Sequence, residues 1–135
     1  MQDTMQITQL HMEITALEQI ADVIVCLQEY LKQWDVAEEI QVDLKLCIME
    51  AVQNALLHGG IEPAMPKVQI MWQCDAEQFC FTVEDNGIGV PLEVRNGEYT
   101  ETLKESGRGL LLMRTILDEV RFNEAGNAIT GILKW

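Results

Sequence analysis

Apolar and polar positions alternate along this chain with two different periods, and each change of period marks a predicted element. Residues 6–14 alternate loosely, which is typical of a first or edge strand. From residue 15 to residue 34 the spacing becomes helical. Asp35 is placed to cap a second helix, which ends at Gly59 and Gly60. The second helix carries an apolar side chain at every fourth position, namely Ile40, Leu44, Ile48, Val52 and Leu56.

A two-residue period begins at residue 67 and predicts two neighbouring strands. Val68, Ile70 and Trp72 alternate with polar residues in the first strand, and residues 77–83 form the second. The short polar segment 75–77 between them predicts a hairpin connection.

The last part of the chain predicts a helix followed by a hairpin. Helical spacing is carried by a run of apolar residues: Leu110, Leu111, Met113, Ile116, Leu117 and Val120. Residues 121–124 and 128–133 then predict two strands that turn at residues 125–127. Helices on one face of a mainly antiparallel or mixed sheet make two layers, so we predict the α+β fold class, a two-layer sandwich.

Between the strand at residues 77–83 and the last helix lies a polar stretch, residues 91–106, in which neither period continues. Loops of this length without structure of their own are usually functional. We therefore predict a lid over a binding site at about residues 90–106.

Length and composition limit the class of protein. The chain has 135 residues, which fits one domain, so we predict a single domain over residues 1–135. No apolar run approaches the length of a membrane span, and the first residues lack the pattern of an export signal. We therefore expect a cytoplasmic protein without a membrane partner. The four cysteines lie among apolar neighbours, so we expect buried, reduced thiols: Cys26, Cys47, Cys74 and Cys80.

The chain is strongly acidic, with 22 acidic and 9 basic residues and a net charge of −13. This charge repels a phosphate backbone, so we expect no nucleic-acid partner. An acidic protein that binds a nucleoside triphosphate needs local compensation, from a divalent cation or from backbone N–H groups directed at the phosphates.

Three polar features carry the candidate chemistry, and the first is on the second helix. Glu50 and Asn54 are four residues apart and share one helix face, with Gln53 alongside and His58 one turn further. A polar stripe of this kind is usually a solvated helix face, so the pair alone indicates no chemistry.

The second feature is a turn at the end of a predicted strand, Asp85-Asn86-Gly87-Ile88-Gly89. Glycine permits a positive φ and lets the backbone come close to a ligand. The same residues are ordinary turn formers, so a plain loop is the alternative.

The third feature is the glycine-rich segment 106–109, Ser-Gly-Arg-Gly, which leads into an apolar helix. A glycine-rich helix start exposes unpaired N–H groups and the positive end of the helix dipole, which together bind anions. A simple helix start with a flexible approach is the alternative.

The order and spacing of the three features resemble the GHKL ATPase family. Residues 50–55 resemble its N box, residues 85–89 its adenine box and residues 107–110 its second glycine box. The small size and the N-terminal strand and helix most resemble the anti-sigma-factor serine kinases. The resemblance runs roughly from residue 6 to the C-terminus and implies a Bergerat-type ATP-binding fold.

The resemblance implies a role for each matched polar residue. Asn54 would ligate Mg²⁺ through its amide oxygen, and Glu50 would accept the proton of an attacking hydroxyl. Asp85 would accept a hydrogen bond from the exocyclic amine of adenine. ATP is then expected to bind more tightly than GTP, because guanine presents an oxygen at that place.

The glycines would shape the site around the nucleotide. Gly87 and Gly89 would make room for it, while Gly107, Gly109 and Leu110 at the following helix start would receive the phosphates.

Three further assignments follow from the resemblance. His58 is expected at the nucleotide edge or in a structural role rather than in proton transfer, and Thr130 is expected to approach the adenine. Similar kinases often carry an arginine just before the second glycine box, where this chain has no arginine. Lys104 and Arg108 are the candidates to replace it, and we assign Arg108 the catalytic role.

The implied function is an ATP-dependent serine/threonine protein kinase of the anti-sigma-factor type. It would phosphorylate a small antagonist protein and, when free of it, bind a sigma factor or another regulator. The alternative is an ATP-binding regulatory module with little or no kinase activity, in which ATP orders the lid.

Two other functions are disfavoured. ATP hydrolases of the gyrase and chaperone type are larger chains that bring a lysine from another domain, and a detached sensor-kinase domain is disfavoured by the short lid. We expect a homodimer formed through the N-terminal strand and first helix. The sequence alone identifies neither the antagonist nor the regulated target.

Overall fold

The computed structural model describes residues 8–58, 66–87, 89 and 104–135, without the side chains of residues 58 and 104–108. Residues 90–103, which contain most of the predicted lid, lie outside this part of the chain. The described elements, in chain order, are β1 (Gln9–Ile14), a 3₁₀ turn (Leu17–Gln19), α1 (Ile20–Leu31), α2 (Glu38–His58), β2 (Val68–Cys74), β3 (Gln78–Asp85), α3 (Lys104–Ile116), β4 (Glu119–Phe122) and β5 (Ala128–Lys134).

The five strands form one sheet in the order β1-β2-β3-β5-β4, and each neighbouring pair is antiparallel. Two of the pairings are hairpins. In the β2–β3 hairpin, Asp75 Oδ1 accepts hydrogen bonds from the backbone N–H groups of Glu77 at 2.7 Å and Gln78 at 3.0 Å. These bonds explain why the predicted connection at residues 75–77 forms a tight turn.

The helices cover one face of the sheet, which confirms the predicted α+β two-layer fold. Alternate residues of β2 and β3 face these helices, and six of them are at most 2% exposed: Val68, Ile70, Trp72, Phe79, Phe81 and Val83. Burial of this apolar surface is the main term that holds the two layers together. No helix in the described ranges is both long enough and apolar enough to cross a membrane.

Helix α2 lies against the sheet through the apolar stripe that its four-residue spacing predicts. Leu44, Ile48, Val52 and Leu56 are buried, and so are Cys47, Ala51 and Ala55 beside them. This stripe fixes the rotation of α2, because turning the helix would expose the apolar side chains. The polar residues beside this stripe therefore also have a fixed orientation relative to the sheet.

Several boundary predictions were wrong. Helix α2 begins at Glu38, so Asp35 does not occupy the capping position immediately before it. Helix α3 ends at Ile116, and Val120 belongs to β4 instead.

Leu111 is 55% exposed because α3 packs through Leu110 and Met113 on another face of the helix. The prediction that all four cysteines are buried was wrong in part. Cys47 and Cys74 are buried, whereas Cys26 and Cys80 are only half-buried.

Candidate functional site

Glu50 and Asn54 lie on the flank of α2, next to its buried stripe. Both side chains are half-buried, while Ala51 and Ala55, which follow them in the sequence, are buried against the core. The pair is therefore a polar edge at the border of the core, and its position is set by the packing of α2.

Gly109 of α3 lies directly against this edge. A Cβ atom built on Gly109 would stand 2.8 Å from Glu50 Oε2 and 3.1 Å from Asn54 Nδ2. Real Cβ atoms essentially never come as close as the first of these distances. The structure thus brings together three predicted site residues that are up to 59 positions apart in the sequence.

The start of α3 differs from the prediction. The helix begins at Lys104, so Gly107 and Gly109 lie within the helix instead of at its first residue. The first four N–H groups of a helix lack intrahelical acceptors, and in α3 they precede Gly107, whose N–H group already bonds within the helix. A phosphate at this helix end would meet the N–H groups of residues 104–106 rather than those of Gly107 and Gly109. Leu110 is 2% exposed, and its side chain packs in the core.

Asp85 is the last residue of β3 and shares the strand face of Phe81 and Val83, which the helices cover. Its Oδ1 atom accepts a hydrogen bond of 2.6 Å from the backbone N–H of Gly87. The next residue, Asn86, accepts a hydrogen bond of 3.0 Å from the backbone N–H of Lys67 at the start of β2. The turn is therefore ordered by its own side chains.

Gly89 shows why this turn needs glycine. Its φ is +99°, and a Cβ atom at this position would stand 2.1 Å from the carbonyl oxygen of Ala125. The close neighbour is the backbone of the β4–β5 turn, which the sequence did not identify as a partner of the Asp85 turn.

A second contact that the sequence did not reveal is made by Asn127, also in the β4–β5 turn. Its backbone oxygen accepts from Asp85 N–H at 2.8 Å, and its Nδ2 donates to the Asp85 backbone oxygen at 3.1 Å. The only sequence signal was a pair of turn-forming asparagines, Asn123 and Asn127, around Gly126.

Thr130 does not reach the Asp85 turn. It pairs with Thr82 in the β3–β5 register, and the two hydroxyl oxygens are 2.9 Å apart. Thr82 alternates with Phe81 and Val83, so both threonines are on the sheet face away from the helices. The expected approach of Thr130 to an adenine at Asp85 is corrected by this register.

The predictions for His58, Lys104 and Arg108 concern side chains outside the described part of the chain. The backbone places His58 at the end of α2 and the other two residues in the first half of α3. Their assigned roles stay predictions.

Cys47, three residues before Glu50 on α2, is a buried thiol with two carboxylates nearby. Burial, together with the nearby carboxylates of Asp43 and Glu50, raises the pKa of Cys47 to about 12. Cys47 is therefore uncharged at neutral pH and supplies no thiolate to a metal.

The chemistry of the polar edge fits Mg²⁺. The amide of Asn54 and the carboxylate of Glu50 offer the hard oxygen donors that this ion prefers. A glycine at position 109 is consistent with such a metal site, because any side chain there would collide with Glu50 and Asn54.

Comparisons with known proteins identify relatives of this chain. The family described as the histidine kinase-like ATPase domain matches residues 15–133. An anti-sigma F factor of Clostridium perfringens (strain SM101) is 35% identical over 113 residues, which cover 81% of each chain. The anti-sigma F factor of Bacillus subtilis (strain 168) is 28% identical over 122 residues, covering 87% of this chain and 84% of the relative.

Solved structures with the same fold are more distant in sequence. A Mycobacterium tuberculosis protein containing RsbU and RsbW domains matches with a TM-score of 0.62 and 18% identity, over 93% of this chain and 32% of that one. The catalytic domain of the histidine kinase ThkA matches with a TM-score of 0.55 and 18% identity, over 93% of this chain and 97% of that one. At such identities the likeness concerns the fold alone.

Proposed function

This chain belongs to the histidine kinase-like ATPase domain family, and from that premise we propose that it is an ATP-dependent serine/threonine protein kinase. In this proposal Mg·ATP lies between the Glu50 and Asn54 edge of α2, the Asp85 turn and the first half of α3. The γ-phosphate passes to a hydroxyl group of a small antagonist protein.

The observation that carries the proposal is the contact of Gly109 with Glu50 and Asn54. Two motifs that are distant in the sequence share one place in the fold, and the position that touches both polar side chains is a glycine. A purely solvated helix face has no need of such a neighbour. The contact therefore supports a common site for the two motifs.

Each residue has a defined task in the transfer. Glu50 accepts the proton of the serine or threonine hydroxyl while its oxygen forms the new bond to the γ-phosphorus, and the bond from that phosphorus to the bridging oxygen of ADP breaks. Asn54 offers its amide oxygen to Mg²⁺, which when bound supplies the positive charge that the phosphates need beside an acidic edge. Asp85 accepts a hydrogen bond from the adenine amine, and the start of α3 offers the N–H groups of residues 104–106 to a phosphate.

The proposed partners follow from the names of the relatives. Because the matching relatives are anti-sigma F factors, we propose an antagonist protein as substrate and a sigma factor or another regulator as the second partner. We further propose that the protein acts in the cytoplasm as a homodimer, paired through β1 and α1.

The second candidate function is an ATP-binding regulatory module with little or no transfer activity. The observation that favours it is the segment before the second glycine box, which reads Leu-Lys-Glu-Ser at residues 103–106 and has no arginine. If neither Lys104 nor Arg108 replaces that arginine at the transferred phosphate, ATP would bind but transfer would be slow. In that case ATP acts by changing the affinity for a partner.

The deciding experiment measures nucleotide binding and phosphate transfer separately. Calorimetry with Mg·ATP and incubation with labelled ATP and the candidate antagonist are carried out on the wild type and on Asn54→Ala and Glu50→Gln. We expect Asn54→Ala to lose Mg²⁺-dependent binding, and Glu50→Gln to bind ATP but transfer phosphate roughly 10²–10⁴ times more slowly.

Gln53→Ala is the matched control, because Gln53 is exposed on the same helix between the two site residues. It should leave both measurements unchanged. Unchanged Mg·ATP affinity in Asn54→Ala would exclude the metal role. Binding without any labelled product in the wild type would favour the regulatory module.

A further inference from the structure

We propose that Asn127 is a positioning residue that sets the place of Asp85 and thereby the discrimination between ATP and GTP. This inference rests on the proposed function, since it assumes that Asp85 receives the adenine amine. It adds a residue outside the three motifs and on another element, the β4–β5 turn (residues 123–127).

The contact between the two residues is double. Asp85 N–H donates to the backbone oxygen of Asn127 at 2.8 Å, and Asn127 Nδ2 donates to the backbone oxygen of Asp85 at 3.1 Å. The registered β3–β5 ladder has its last pair at Glu84 and Ala128. Asn127 thus extends the ladder by one residue and holds both backbone groups of Asp85.

The orientation of the Asn127 amide is fixed from its other end. Asn123 Nδ2 donates to Asn127 Oδ1 at 2.7 Å. A rotated Asn127 amide would set donor against donor at Asn123 and acceptor against acceptor at Asp85. Asn123 itself is held, because its Oδ1 accepts from the backbone N–H of Ala128 at 3.1 Å.

The β4–β5 turn also meets the other end of the Asp85 loop. Gly89 lies against the carbonyl oxygen of Ala125, where a Cβ atom would stand at 2.1 Å. Asp85 and Gly89 therefore both contact one turn.

The consequence concerns hydrogen-bond geometry at the Asp85 carboxylate. The carboxylate is tied to its own turn by the 2.6 Å bond from the Gly87 N–H, so it moves with the backbone of residue 85. Hydrogen bonds weaken steeply when their angle departs from linear. Releasing the backbone should therefore weaken adenine binding more than binding of a base that makes no bond to Asp85.

The test is a double-mutant cycle on Asn127→Ala and Asp85→Ala, with the affinities for Mg·ATP and Mg·GTP measured by calorimetry. We expect Asn127→Ala to lower the ATP-to-GTP affinity ratio by about 3- to 10-fold, the equivalent of one hydrogen bond. In the Asp85→Ala background the same change should leave the ratio unaltered, because the carboxylate through which Asn127 acts is absent.

A merely structural role of Asn127 would lower the melting temperature without changing this ratio. Asn123→Ala, which frees the Asn127 amide without touching Asp85, should lower the ratio by a smaller factor and provides the readout if Asn127→Ala does not fold. An unchanged ratio in the folded variants, or equal losses in both backgrounds, overturns the inference. Failure of the wild type to bind ATP would overturn the proposed function as well, so the two failures are distinguishable.

Discussion

Gly109 on α3 lies so close to Glu50 on α2 that a Cβ atom at position 109 would stand 2.8 Å from Glu50 Oε2. The two residues belong to different predicted motifs, and the packing of two helices brings them into contact. The Glu50 carboxylate is at the end of a flexible side chain and can move, whereas Gly109 is part of a helix backbone. A methyl group at position 109 should therefore displace the carboxylate and leave the helices in place.

Gly109→Ala is expected to fold but to lose phosphate transfer by at least about tenfold, because the proposed base leaves its position. Thermal unfolding and transfer of labelled phosphate to the candidate antagonist measure the two effects. Leu111→Ala, at an exposed position of the same helix, is the control and should keep full transfer. Normal transfer by a folded Gly109→Ala protein would show that the contact has no part in the reaction.

Gly131→Ala is expected to destabilise the core by about 1–3 kcal/mol, since overpacking forces neighbouring side chains to shift. A Cβ atom at Gly131 would stand 2.6 Å from the ring of Phe81 and 2.7 Å from Leu117 Cδ1. Urea unfolding measures the loss. In a double variant, Phe81→Leu should make room for the new methyl group, so the combined loss should be smaller than the sum; strictly additive losses would contradict the collision.

Thr130→Val should leave Mg·ATP affinity unchanged and cost about 0.5–1.5 kcal/mol of stability, the value of one net hydrogen bond. The bond lost is the 2.9 Å contact between Thr130 and Thr82 on the sheet face away from the helices. Calorimetry and urea unfolding give the two quantities, with Asp85→Ala as the variant that does lose affinity. Binding more than tenfold weaker in folded Thr130→Val would place the threonine at the nucleotide after all.

Stability should fall as the pH rises above 9. Burial raises the pKa of Cys47 to about 12 from its ordinary 9.0, and burial followed by Asp75 raises the pKa of Cys74 to about 11. Between the ordinary and the raised values the unfolded chain releases these protons while the folded chain retains them. The free energy of unfolding therefore falls as the pH rises from 9 towards these raised pKa values. Below pH 9 both states keep the thiol protons, and this contribution to stability is fully present.

Melting temperatures at pH 7, 9 and 10 measure this decrease. Cys47→Ala should be less stable at pH 7, because it leaves a cavity, but should lose less on going from pH 9 to pH 10. Cys26→Ala, which removes a half-buried thiol from α1, is the control. A Cys47→Ala profile parallel to that of the wild type would contradict the assignment.

Most of the architecture could be predicted from local patterns. The four-residue spacing of α2 and the two-residue alternation of β2 and β3 each gave the correct buried face, because burial on one side repeats with the period of the element. Boundaries were less accurate. The start of α3 at Lys104 was not predicted, because Gly107 and Gly109 disfavour a helix interior although Lys104 and Glu105 are good helix formers.

The candidate site was predicted in part. Glu50 and Asn54 were assigned to one helix face from their spacing alone, and the glycine pattern identified Gly89 as a position for unusual backbone geometry. The resemblance assigned Thr130 to the adenine, and local alternation does not say which face of β5 lies beneath the helices. That face depends on pairing with β3.

The sequence by itself therefore determined the type of each element, its buried stripe and the residues available for nucleotide chemistry, because these depend on neighbours within a few positions. Only the tertiary structure decided that Gly109 meets Glu50, that Asn127 holds Asp85 and that Thr130 faces away. The contacts concerned are Gly109 with Glu50, Asn127 with Asp85 and Thr130 with Thr82. Each joins residues more than 40 positions apart, and strand register and helix packing bring them together. Register and packing arise from the burial of the whole core. The burial of the core depends on residues that are distant in the sequence, so a local pattern cannot predict it.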